Sequence, residues 1–135
     1  MPNMFFVNVP TRDLARSDAF YSALGFNKNE TFSDEQASCW VVSEHIYIMV
    51  LVEDFFASFL RDGDEPNLRS KTIGSLNALS VESDSELEQM LERAVVGGGS
   101  VYRPAFSPFE GMTEAAMKDP DGHVWELSFM DIGSA

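Results

Sequence analysis

Residues 117–129, MKDPDGHVWELSF, place a turn signal, Asp119-Pro120-Asp121-Gly122, ahead of a short run of strand-forming residues with a carboxylate, Glu126, in its middle. Period two puts Val124, Glu126 and Ser128 on one side of that strand and Trp125, Leu127 and Phe129 on the other. The apolar set is expected to pack under a helix, which leaves Glu126 on the opposite face. Three roles stay open for it: a rim carboxylate in an ion pair, a group that orients a ligand between hydrophobic walls, or a general base. As a base, its pKa would be raised by burial and it would take a proton beside a carbonyl without a metal.

Other reactive side chains offer less. Cys39, in ASCWVV, is the single cysteine, so it forms no internal disulfide and reads as a small core hydrophobe. His45 and His123 both fall in turns, and parity sets neither beside Glu126. There is no G-x-G-x-x-G, phosphate loop, Cys-x-x-Cys or G-x-S-x-G elbow. The glycines of VVGGGS, residues 95–100, follow a helix, whereas a phosphate cradle needs them to precede one.

The elements that must position Glu126 come in two similar series. Residues 4–9 alternate as a strand, ended by Pro10; residues 11–24 carry Leu14, Ser17, Phe20, Tyr21 and Leu24 at helical spacing, stopped by Gly25. Strands are predicted at 26–32, 38–43 and 46–52, then a short helix at 53–60 and a polar connector at 61–75. The order then returns: a strand at 76–81, a helix opened by a capping-box spacing from Ser83 to Glu86 and stopped by Gly97 to Gly99, and strands near Val101, at 112–118 and at 123–130. The expected fold is therefore α+β, one domain over 1–135, built of a βαβββ module at about 4–60, a linker at 61–75 and a second module at 76–131. Each half-sheet needs a helix on one face, and two curved half-sheets side by side leave a cleft walled by the other faces.

Bulk properties narrow the partners. The 135 residues carry 9 Lys+Arg against 22 Asp+Glu, a net charge of −13 spread along the chain, which argues against nucleic acid. No apolar run is long enough to span a membrane, and the N-terminus MPNMFFVNVPTRD has neither a basic start nor a signal-type apolar stretch. A soluble, cytoplasmic protein is expected.

NVPTRDLARSDAFYSALGF (8–26), NALSVES (77–83) and KDPDGHVWEL (118–127) resemble the strand-helix opening, the start of the second module and the closing hairpin of the vicinal oxygen chelate superfamily. That superfamily holds glyoxalases, bleomycin-resistance proteins and extradiol dioxygenases. With VVSEHIYIMVLVEDFF (41–56), the texture is similar to its bacterial branch labelled predicted lactoylglutathione lyase. The resemblance implies paired βαβββ modules forming a cupped sheet around a cavity, often completed by dimerisation. It also implies, for the metalloenzymes, one His or Glu ligand on each of four strands, holding a divalent cation that polarises a substrate carbonyl or binds dioxygen. Matched motif by motif, those positions fall on Phe6, on Met49 or Leu51, on Leu76 and on Glu126. Only the last is a donor for such a cation; methionine sulfur is too soft.

The leading expectation is a metal-free and cofactor-free small-molecule binding protein. Its cleft is floored by Phe6, Met49, Leu51 and Leu76 and anchored by Glu126, which favours a cationic or hydrogen-bonding ligand and is the catalytic residue if a reaction occurs. Asn8 shares a side with Phe6, and Ser80 with Leu76, so both offer hydrogen bonds; Tyr47 shares a side with Met49 and presents a ring; Phe109 and Glu110, in the loop 105–114, lie at the mouth. The alternatives are a glyoxalase-like lyase or isomerase, metal-dependent or with Glu126 as base, and a dimerising module without a small ligand. A homodimer is expected, and Phe55, Phe56 and Phe59 are candidates for the contact.

Overall fold

The computed structural model describes residues 1–69 and 71–131. Two four-stranded mixed sheets follow one plan. In sheet A, β1 (Phe5–Thr11), β2 (Asn27–Lys28), β3 (Ala37–Val41) and β4 (Ile46–Val52) lie in the order β1-β4-β3-β2; in sheet B, β5 (Leu76–Ser80), β6 (Ser100–Phe106), β7 (Met112–Lys118) and β8 (Val124–Met130) lie in the order β5-β8-β7-β6. β1 runs parallel to β4, and β5 to β8; all other pairs are antiparallel. Helix α1 (Leu14–Ala23) follows β1, the short α2 (Glu53–Ala57) follows β4, and α3 (Asp84–Val96) follows β5.

Local chemistry explains most boundaries. The Asp13 carboxylate accepts from the Arg16 N–H and starts α1, and the Ser83 hydroxyl accepts from the Glu86 N–H and starts α3. The Glu86 carboxylate reaches back to the N–H of Glu82, one residue beyond the Ser83 N–H that a reciprocal capping-box bond would use. Pro10 does not end β1: the strand continues to Thr11, because β1 is an edge strand and its missing N–H leaves no partner wanting. The strand expected over 26–32 shrinks to Asn27–Lys28. Asn29 takes the Phe32 N–H on its side chain and turns Glu30–Phe32 into one 3-10 turn.

One core joins the modules. Val9, Ile48, Val50 and Trp40 from sheet A pack with Phe20, Tyr21 and Leu24 of α1, in the same cluster as Ala115, Met117, Trp125 and Leu127 of sheet B and Leu87, Met90, Leu91 and Ala94 of α3. The helix-side faces of both sheets thus share an interior, and the opposite faces look outward from it. Phe6 is 48% exposed and Leu76 54%.

Polar bonds fix this module contact at the turn that sequence reasoning had marked. The Tyr21 hydroxyl donates to Asp119 Oδ2 at 2.7 Å and accepts from Trp125 Nε1 at 3.1 Å. The Asp121 carboxylate, with no exposed side-chain surface, accepts from Thr11 Oγ1 at 2.6 Å, Ser17 Oγ at 3.2 Å, the Arg12 N–H at 3.1 Å and Arg16 Nη2 at 2.9 Å. His123 Nε2 lies 2.7 Å from the Pro10 carbonyl oxygen. No described helix is long and apolar enough to cross a membrane.

Candidate functional site

The outward face of sheet A gathers four of the sequence-derived residues. Parallel register sets Phe6 opposite Tyr47 and Asn8 opposite Met49, and Cys39 pairs with Met49 from the other side. The Phe6 and Tyr47 rings stack with centroids 4.8 Å apart and planes 14° from parallel. Tyr47 is held at its far end as well, its hydroxyl donating to the Glu44 carbonyl at 2.9 Å. Together with Met4, Asn29, Phe32 and Cys39, these four residues line a cavity of about 430 Å³. That volume lies within the range of small-molecule sites, and the side chains of its wall are carbon and sulfur except for two carboxamides and the Tyr47 hydroxyl, which is engaged with Glu44. Asn8 spends one amide hydrogen on the Phe6 carbonyl at 3.4 Å.

Sequence reasoning missed Met4, Asn29, Phe32 and Cys39 as members of this wall. Cys39 was readable, since Trp40 packs in the core and its neighbour must point the other way. Phe32 was hidden by the overlong second strand. Burial pushes the Cys39 thiol above its ordinary pKa, so it stays protonated and behaves as a small apolar group.

The other sequence-derived residues lie elsewhere. Leu51, 5% exposed, lines a neighbouring hollow of about 340 Å³ with Asn8, Phe56, Phe59 and Leu60. Leu76, Ser80 and Glu126 stand on sheet B, where Leu76 pairs with Val124, Ala78 with Glu126 and Ser80 with Ser128. Glu126 is half-buried between Ala78 on one side and Ala116 on the other, two side chains too short to cover it. Sheet B contributes no residue to the cavity around Phe6 and Met49. Phe109, in the turn between β6 and β7, is exposed, as is Glu110.

As a metal centre the described residues do not fit. The four strand positions carry Phe6, Met49 (or Leu51), Leu76 and Glu126, and among the described residues no three His, Cys, Asp or Glu side chains come together as a metal site requires. His45 pairs with Glu44 at the surface, and His123 is engaged with Pro10.

Residues 4–43 match the family described as bleomycin resistance protein-like N-terminal. Among solved structures, a glyoxalase-related enzyme from Fulvimarina pelagi is similar over 96% of this chain and 88% of its own, with 23% identity and a TM-score of 0.78. A hypothetical protein from S. aureus matches over 96% of this chain and 94% of its own, with 22% identity and a TM-score of 0.77. A lactoylglutathione lyase from Agrobacterium tumefaciens matches over 98% and 96%, with 15% identity and a TM-score of 0.68. Among curated protein sequences none matches. The fold is that of the glyoxalase and bleomycin-resistance proteins of the vicinal oxygen chelate superfamily, as the resemblance of residues 8–26 and 118–127 implied, and the sequence match to the bleomycin resistance protein-like family spans residues 4–43.

Proposed function

We propose that this protein binds a small, largely apolar molecule without a catalytic metal, in a cup that two copies of the chain build together. The observation that carries the reading is the 430 Å³ cavity of sheet A, walled by Tyr47 and by Phe6 and Met49, which stand at two of the strand positions where the resemblance places the superfamily's metal ligands. A metal site there would need donors that these side chains lack; an apolar guest needs only the area they offer, about 25 cal/mol per Å² covered.

Glu126 enters the cup from the partner copy. Within one chain the open faces of the two sheets turn outward from a shared core, and each carries an exposed apolar side chain, Phe6 on sheet A and Leu76 on sheet B. Setting sheet A of one copy against sheet B of another covers both faces and brings the Glu126 carboxylate over the apolar wall. Among the described residues that carboxylate has no hydrogen-bond or ion-pair partner. It is therefore available to a cationic or hydrogen-bonding group of the guest.

The test is a thermal-shift screen of small amphipathic cations and carbonyl compounds against the wild type, Met49→Lys and Glu126→Gln. Ligands of the cup raise the melting temperature of the wild type, fail with Met49→Lys and weaken with Glu126→Gln. Hits that both variants retain in full would reject the site.

A further inference from the structure

A second hollow, at the junction of the two modules, is more polar than the cup. It measures about 220 Å³, and its wall includes the polar Asn8, Lys71, Asn77, Lys118 and His123 beside the apolar Val9, Phe56, Leu68 and Val124. The chain carries 22 acidic side chains against 9 basic ones, yet two of the nine face this hollow. The acid in its wall, Asp121, is already satisfied by Thr11, Ser17, Arg12 and Arg16.

Lys71 and Lys118 form no ion pair among the described residues. Lys118 instead lies with its ammonium 5.3 Å from the Tyr102 ring centroid, and its Cε is 3.8 Å from where a Cβ on Gly122 would sit. Gly122, at φ 96°, has no side chain to come between that stem and the hollow.

This polar hollow adjoins an apolar one. The 340 Å³ space lined by Leu51, Phe56, Phe59 and Leu60 shares Asn8 and Phe56 with it. One end therefore offers two lysine side chains that form no ion pair among the described residues, together with carboxamides, and the other offers aromatic and aliphatic carbon.

We infer that the module junction is a binding site for an amphipathic carboxylate, with its anionic head at Lys118 and Lys71 and its apolar tail among Leu51, Phe56 and Phe59. The head gains charge-assisted hydrogen bonds from groups that have no carboxylate of their own. The tail removes apolar surface from water. The inference stands apart from the cup of sheet A, with which the junction shares only Asn8.

Calorimetric titration of the full chain with octanoate, octanamide and acetate tests it. Octanoate is expected to bind at least about tenfold more tightly than octanamide, about 1.4 kcal/mol, and acetate to give no measurable heat. Lys118→Gln should bring octanoate down to the octanamide level without changing octanamide, and Phe59→Ser should weaken both. Met49→Lys, a change in the cup, should leave octanoate binding intact. Equal binding of octanoate and octanamide, octanoate binding indifferent to Lys118→Gln, or its loss only with Met49→Lys would each overturn the assignment; the last would return the ligand to the cup.

Discussion

The hydroxyl of Tyr21, on α1 of the first module, donates to the carboxylate of Asp119, in the β7–β8 turn of the second, across 2.7 Å of fully enclosed interior. Both groups titrate out of their ordinary ranges. Burial, then the nearby Asp119 charge, pushes the Tyr21 hydroxyl well above its usual value, and burial raises Asp119 despite His123 and its hydrogen bonds. A raised pKa means the folded state holds its proton where the unfolded chain has lost it, so stability falls as pH rises through that interval. For Tyr21 the interval opens at about pH 10. Denaturant melts between pH 9 and 11 should show a steeper decline for wild type than for Tyr21→Phe, although that variant starts about 1–3 kcal/mol lower for losing its bonds to Asp119 and Trp125. Parallel declines would remove Tyr21 from the account.

Asp119 acts by the same sign in the acid range. Its contribution is fully present below about pH 4 and is lost as pH climbs through its raised folded value. Asp119→Asn should therefore flatten the stability profile upward from pH 4, as read by chemical denaturation at half-unit steps.

Asp121 should be the costliest carboxylate to remove. Its side chain is fully covered and four donors converge on it, so Asp121→Ala removes at once the acceptor shared by Thr11, Ser17, the Arg12 N–H and Arg16 at the module contact. A loss of about 3 kcal/mol is expected in urea melts. A loss under about 0.5 kcal/mol would show that the junction does not depend on it.

Gly99 occupies space that no side chain can share. A Cβ there would come 2.3 Å from the Lys118 carbonyl oxygen and 2.4 Å from the Phe20 ring, whereas at Gly98 it would meet nothing within 4 Å and incur only the strain of φ 99°. Gly99→Ala should cost about 2 kcal/mol or more, against about 1 kcal/mol for Gly98→Ala.

The order of elements was legible because period-two and helical patterns are long and uninterrupted; the bounds of β4 and β7 were read directly. Several boundaries shifted, and two of them moved where one side chain outbid the pattern: Asn29 diverting the backbone into a 3-10 turn, and Pro10 tolerated on an edge. Sidedness was legible too, since Trp125 and Leu127 pack inward while Glu126 does not. The distribution of the site was not. Parity tells which face Phe6, Met49 and Leu76 occupy, but which faces meet depends on α1 packing beside α3, and that rests on contacts far apart in sequence such as Tyr21 with Trp125.

If two copies close the cup, a charge on either open face should part them without unfolding the chain. Phe6→Asp and Leu76→Asp are each expected to weaken self-association at least about a hundredfold, about 2.7 kcal/mol, in sedimentation velocity, with far-ultraviolet dichroism unchanged. Wild type sedimenting as a monomer at all accessible concentrations would remove Glu126 from the cup.

The central claim is that apolar side chains have replaced metal donors on three of four strands. Metal content of protein purified without chelator, counted per chain by mass spectrometry, tests it most directly. The account predicts well under about one tenth of an equivalent of zinc, nickel or iron. A full equivalent that disappears with Glu126→Gln would contradict it.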